Sequence, residues 1–268
     1  MAVTAKRPSV PLKTVALPNE HGAWAFLLEP ALLGLLLAPS LAGASLGVAA
    51  LGALLTQHPL SLVLADRRRG KTYPRTGLAL RFVLFYAPVA GAALLTAVLL
   101  RGEVAFLFPA LVVAPLALVQ LVLDARNRGR SLGAELCGAS AVSALAPTIL
   151  LAGGSELVPA MAIWLLLLAR NLSSILYVRA RLRLEYDRPA GLTVPVAAQF
   201  GALMVVTAPV VTGVLPYAAL MAIVVLAVRA LLGLSKYRRA TQPKYVGMRE
   251  LAFGLLLVAL TAAGTVFG

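Results

Sequence analysis

Apolar runs of 17 to 24 residues alternate with short polar connections along the whole chain. A helix needs about 20 apolar residues to cross roughly 30 Å of hydrocarbon. The pattern predicts spans over 22–38, 42–65, 80–100, 104–123, 132–152, 159–178, 191–212, 215–233 and 250–267. The first of these is short and follows Pro18, and the seventh and eighth are separated only by Gly213 to Pro216. The expected architecture is all-α: a polytopic bundle of about nine transmembrane spans. It forms a single transmembrane domain over 21–268, preceded by a basic segment, 1–20, with no cleavable signal pattern.

The connections alternate in charge. The segments 1–20, 66–81, 124–130, 179–188 and 235–249 hold 21 of the 24 Lys and Arg residues, whereas the connections between them hold only Arg101. Short basic loops stay on the cytoplasmic side of a cell membrane. The alternation therefore predicts a cytoplasmic N-terminus, an odd number of spans and an outward C-terminus.

Composition agrees. Hydrophobic residues make up 60% and charged residues 13% of the chain, and mean hydropathy is +0.91. A soluble domain carries about twice that charged fraction. The net charge of +14 would point to nucleic acid in a soluble protein. Here loop orientation and attraction to anionic lipid headgroups account for it, and nucleic acid is not expected as a partner. The single cysteine, Cys137, rules out an internal disulfide.

Ionisable groups inside spans mark candidate sites, because each disfavours insertion by about 2.5–3.5 kcal/mol. They are Glu29, His58, Glu135, Arg170 and Arg229, with Gln57, Gln120, Asn171 and Gln199 as neutral companions. The first cluster, Asn19-Glu20-His21-Gly22-Ala23-Trp24, opens span one. Asn19 reads as a helix cap, Glu20 as a complement to the helix N-terminus and Trp24 as an interface anchor. With His21, Glu29 and His58, the group also reads as a polar cavity. The second cluster runs from His58 through Asp66, Arg68, Lys71 and Thr72 to Arg75. It joins one carboxylate and a hydroxyl to several cations, a combination suited to phosphate. In the third, Arg170, Ser174, Tyr177 and Arg181 repeat at helical spacing on one face, beside Asn171 and Arg179. Such a stripe is too polar for lipid contact. The fourth holds Lys244 and Glu250 at the opening of span nine.

Three stretches resemble the YwiC-like family of bacterial membrane proteins: Glu20-His21-Gly22-Ala23-Trp24, the Arg170–Arg183 segment with its Tyr177-Val178-Arg179-Ala180-Arg181 core, and Pro243–Glu250. That resemblance covers essentially the whole chain and implies no particular activity. A more distant resemblance links the topology to the UbiA superfamily of intramembrane prenyltransferases. Aligned on Asp66, the tail of that superfamily's first Asp-rich motif is matched by Lys71, Thr72 and Arg75. The front half departs from it, with His58 in place of Asn and Leu62 in place of the middle Asp, and the second motif's carboxylates have no counterpart in 170–183.

Two functions follow. One is a prenyltransferase whose isoprenoid diphosphate lies against Arg68, Lys71, Arg75, Arg170, Arg179 and Arg181, with Mg²⁺ held by Asp66 and Glu20 as the UbiA resemblance implies. The other is a non-catalytic descendant that binds an anionic isoprenoid phosphate, a quinone-like head or an anionic membrane lipid at a basic cytoplasmic cavity. Replacement of carboxylates by arginines favours the second, since it removes metal ligands and keeps an anion site. A transporter is a weaker third reading, because no paired interrupted helices stand in corresponding halves.

Overall fold

The computed structural model describes residues 11–17 and 21–267, without the side chains of 21–23 and 25. A short α1 (Leu12–Ala16) precedes α2 (His21–Leu37), α3 (Leu41–Arg68), α4 (Pro74–Arg101) and α5 (Phe108–Ala125), the last entered through a 3₁₀ turn at Ala105–Leu107. There follow α6 (Leu132–Ser143), α7 (Leu145–Ala152), α8 (Leu157–Glu185), α9 (Thr193–Val211), α10 (Tyr217–Leu234) and α11 (Pro243–Phe267). Among the described residues, eight helical stretches are long and apolar enough to cross a membrane, and α2 adds a shorter apolar run, Phe26–Leu37. Each of the nine expected spans therefore has its helix, and the chain is a polytopic helical membrane protein.

Local chemistry sets the helix limits. Ser40 Oγ accepts from Gly43 N at 3.0 Å and Ser131 Oγ from Ala134 N at 3.3 Å, each satisfying a donor that the first turn leaves free. Pro74 supplies the first residue of α4, where a missing N–H does no harm. Gly102 ends that helix at φ 68°, in the left-handed region that glycine adopts without strain. The fifth span is expected to be continuous but breaks at Ala144. Pro147 has no N–H to donate to the Ser143 carbonyl, so the ladder is interrupted there.

Side-chain links join the basic connections 124–130, 179–188 and 235–242 at one end of the bundle. Arg179 reaches the Arg130 carbonyl at 3.1 Å, the Thr241 amide donates to Glu185 at 2.9 Å, and Gln57 donates to Asp124 at 2.7 Å. The main core fills the space between α2, α7, α8, α9, α10 and α11 around Leu33, Leu166, Val206, Leu226 and Leu257. A second core joins α3, α4 and the 3₁₀ turn to α7 through Leu46, Ala97, Phe106 and Ile149. Small residues permit the close approach that membrane helices need. Ile149 lies so near Gly34 of α2 and Gly43 of α3 that a Cβ on either would come within 2.9 or 2.8 Å of it.

Candidate functional site

The polar stripe of α8 is a single buried face. Arg170, Ser174, Tyr177 and Arg181 all sit inward, although they carry two full charges. Each charge on this face has a partner on another segment. Arg170 Nη2 donates to Glu29 Oε1 of α2 at 2.9 Å and to the Glu250 carbonyl of α11 at 2.9 Å. Both members of the Arg170–Glu29 pair are essentially inaccessible, at 2% and 1% exposure, so the pair ties three helices together where water cannot reach. Gly254 faces it: a Cβ there would overlap the Glu29 carboxylate and lie 2.8 Å from Arg170 Nη2.

One and two turns further along α8, Ser174 and Tyr177 receive Arg229 of α10. Its guanidinium lies 4.2 Å from the Tyr177 ring centre and 5.3 Å from that of Phe253, an arrangement of cation against aromatic faces. Arg229 Nη1 pairs with Glu250 Oε1, and Nη2 is 3.4 Å from Ser174 Oγ. Tyr177 fits because α10 has Gly233 opposite it, where a Cβ would stand 2.9 Å from the ring. Arg181 closes the stripe. It donates to the carbonyls of Gly233 and Arg239, the latter at 2.6 Å, and pairs with Glu185 one turn on at 2.6 Å.

Above this floor a cavity of about 830 Å³ opens between α8, α10, α11 and the connection 235–242 at the basic end. Five arginines line it, Arg181, Arg229, Arg238, Arg239 and Arg249, against the one carboxylate of Glu250. Its side wall is apolar, with Val246, Ala252, Phe253, Leu232 and Leu256. Leu232 and Leu256 are also exposed on the outer surface of the bundle, at 59% and 39%. The cavity thus faces a basic end in one direction and the lipid-facing side between α10 and α11 in another.

The remaining residues singled out from sequence fall elsewhere. Asp66 is fully buried, but its oxygens accept from Arg75 Nη2 at 2.9 Å and Thr76 Oγ1 at 2.7 Å. Arg68, at the last position of α3, and Lys71 and Thr72 beyond it are exposed. They do not join Arg181 in the α8–α10–α11 cavity, and Arg75 lines a separate depression of about 360 Å³ with Arg69, Tyr73 and Pro74. Arg179 points the other way from Arg181, to Glu135 of α6 at 2.8 Å. Helical spacing separates the two, since residues two apart lie on different faces. The single diphosphate surface expected across these cations is therefore divided among four places, since Arg170 lies apart in its buried pair with Glu29. Glu29 belongs to a buried ion pair, not to the cavity lining. His58 Nε2 is 3.1 Å from the Thr14 carbonyl and holds α1 to α3. Trp24 is exposed on α2, as is Lys244 at the start of α11, over the Tyr245 ring at 4.9 Å. Asn171 is fully buried, and neither end of its amide has a hydrogen-bond partner among the described residues. Glu20 and the His21 side chain lie outside the described residues.

The Mg²⁺ site implied by the UbiA resemblance does not fit the donors around Asp66. A guanidinium and a hydroxyl fill the carboxylate, where a hard cation needs oxygen ligands. Among the described residues no three His, Cys, Asp or Glu side chains converge.

Several cavity residues escape a reading based on spans and motifs: Arg238, Arg239 and Arg249 look like ordinary basic loop, and Glu250 like a helix-start carboxylate. Arg229 is the exception, since an arginine in the middle of an apolar run is itself a signal.

The model of the family described as YwiC-like protein matches residues 17–150. No curated protein and no solved structure matches the chain.

Proposed function

The chain belongs to the YwiC-like family, and on that footing we propose that it binds an anionic, lipid-tailed ligand in the α8–α10–α11 cavity on the cytoplasmic side of the cell membrane. One observation carries the reading: the cavity joins five arginines to an apolar wall whose Leu232 and Leu256 are also exposed toward lipid. A soluble metabolite would gain nothing from that wall. An isoprenoid phosphate or an anionic lipid would lay its tail along it and its headgroup among guanidiniums, which present forked donors to oxyanions. The volume of about 830 Å³ is in the range of small-molecule sites, about 300–1,000 Å³. It holds a headgroup and the first part of a chain, with the rest left in the bilayer. The cytoplasmic placement rests on the basic connections. No feature of the described residues favours prenyl transfer over this reading.

Native mass spectrometry of the detergent-purified protein tests it. The wild type is expected to retain an anionic lipid or prenyl phosphate in preference to phosphatidylcholine. Changing Arg238, Arg239 and Arg249 together to Gln should reduce that retention at least about tenfold, as expected when charged hydrogen bonds are lost. Equal retention by the two proteins would refute the proposal.

A further inference from the structure

The five arginines of the cavity are not equivalent. Arg181 is used by two backbone carbonyls and by Glu185, contacts that fix the 235–242 connection. Arg238, Arg239 and Arg249 are exposed at the rim, where water and salt weaken any pairing. Arg229 differs from both groups. It is nine-tenths buried and held against Tyr177 and Phe253. Its outward partner is a single side-chain carboxylate, Glu250. Two buried polar atoms of this pair, Arg229 Nε and Glu250 Oε2, have no hydrogen-bond partner among the described residues. The pairing is therefore incomplete on both sides: the guanidinium keeps a free donor and the carboxylate a free acceptor.

A desolvated guanidinium fixed against aromatic faces is the strongest oxyanion receptor in the cavity. In the absence of ligand it must still be neutralised, because an unpaired buried charge is strongly destabilising. Glu250 does this from the cavity wall, with the same chemical group an anionic ligand would bring. The neighbouring pair Arg170–Glu29 also leaves two buried atoms without a partner among the described residues, Arg170 Nε and Glu29 Oε2, and differs in its place. It is closed off from the cavity, and Gly254 is shaped around it. Only the outer pair is placed to exchange partners.

We propose that Arg229 is the principal receptor for the ligand's oxyanion, and that Glu250 is a built-in competitor which the ligand displaces. This rests on the cavity being the ligand site. The chemistry assigned is an oxyanion that meets a guanidinium as a carboxylate does, borne either by a phosphate or by a carboxylate headgroup. A fork of two parallel N–H···O contacts to the ligand would replace the single contact to Glu250, and the released carboxylate would turn toward the arginines at the rim. Discrimination follows: a cationic amphiphile finds no site, because Glu250 alone faces five guanidiniums.

The prediction has an unusual sign. Removing a charge from the binding cavity is expected to tighten binding. Farnesyl phosphate and palmitate, titrated into detergent-solubilised protein and read by native mass spectrometry, provide the two headgroup arms. Glu250→Gln is expected to raise affinity for the preferred probe about tenfold, roughly the worth of one charge-assisted hydrogen bond. Arg229→Gln should lose binding of that probe by at least as much. Glu250→Asp, which withdraws the carboxylate by one methylene and keeps the charge balance, should give a smaller gain; it decides the matter if the Gln variant does not fold. Preference for farnesyl phosphate assigns the phosphate headgroup, and preference for palmitate the carboxylate. Unchanged or weaker binding in folded Glu250 variants would overturn the inference. If binding persists in Arg229→Gln and falls in Arg249→Gln, anions bind at the rim. The cavity reading then survives and this inference fails. If no variant binds either probe, both fail.

Discussion

Replacing Gly254 by alanine tests whether the buried ion pair locks α11 to the rest of the bundle. A methyl group at that position would overlap the Glu29 carboxylate and stand 2.8 Å from Arg170 Nη2. The carboxylate is the end of a flexible side chain and would ordinarily move aside. Here it can move only by leaving Arg170, and both side chains are sealed from solvent. Breaking a buried pair destabilises by about 3–5 kcal/mol. Alanine recovers about 1 kcal/mol of helix propensity over glycine, which leaves a net loss of about 2–4 kcal/mol. In a thermal melt of the detergent-solubilised protein that corresponds to a fall in Tm on the order of 10 °C. A control separates the clash from a general intolerance of α11. In a Glu29→Ala, Arg170→Met background the pair is absent, and Gly254→Ala should then be neutral or slightly stabilising. An unchanged Tm for the single variant, or an equal loss in both backgrounds, would refute the reasoning.

Two further outcomes follow from the basic end of the bundle. Thr76→Val removes the 2.7 Å hydrogen bond to the buried Asp66 carboxylate. It should lower stability by about 1–3 kcal/mol, visible as a lower Tm, while Thr72→Val at an exposed position changes it little. Arg181→Lys keeps the charge but loses the fork that bridges the Gly233 and Arg239 carbonyls. The connection 235–242 should loosen, so that limited trypsin digestion cuts after Lys236, Arg238 or Arg239 several times faster than in wild type, with cleavage after Arg101 unchanged.

The α8 stripe shows how far sequence reasoning reaches toward the site. Helical spacing alone places Arg170, Ser174, Tyr177 and Arg181 on one face, and their polarity alone turns that face away from lipid. Both expectations hold. Spacing does not tell which of these groups lines a cavity and which is consumed by the fold. Arg170 is consumed by a carboxylate 141 positions away, and Arg181 by one backbone carbonyl at the end of α10 and one in a connection that looks like ordinary basic loop. The Asp66 group fails in an instructive way. Its residues match part of a metal-binding pattern, but Thr76, one position beyond that pattern, and Arg75 occupy the carboxylate first.

What the sequence determines by itself is whatever depends on local chemistry summed along the chain. A run of apolar residues long enough to cross the bilayer makes a span, wherever its neighbours lie. Basic connections supply an expectation for its direction. The caps at Ser40 and Ser131 and the turn at Gly102 are equally local. Tertiary structure alone decides how the charges are partnered, because a guanidinium can meet a carboxylate, a carbonyl, a ring face or a ligand, and helix packing selects among them. That selection sets Arg229 against Glu250 in the lining of one cavity, although each lies in a separate span and neither belongs to a common motif. The same selection buries Arg170 and Glu29 behind the cavity wall.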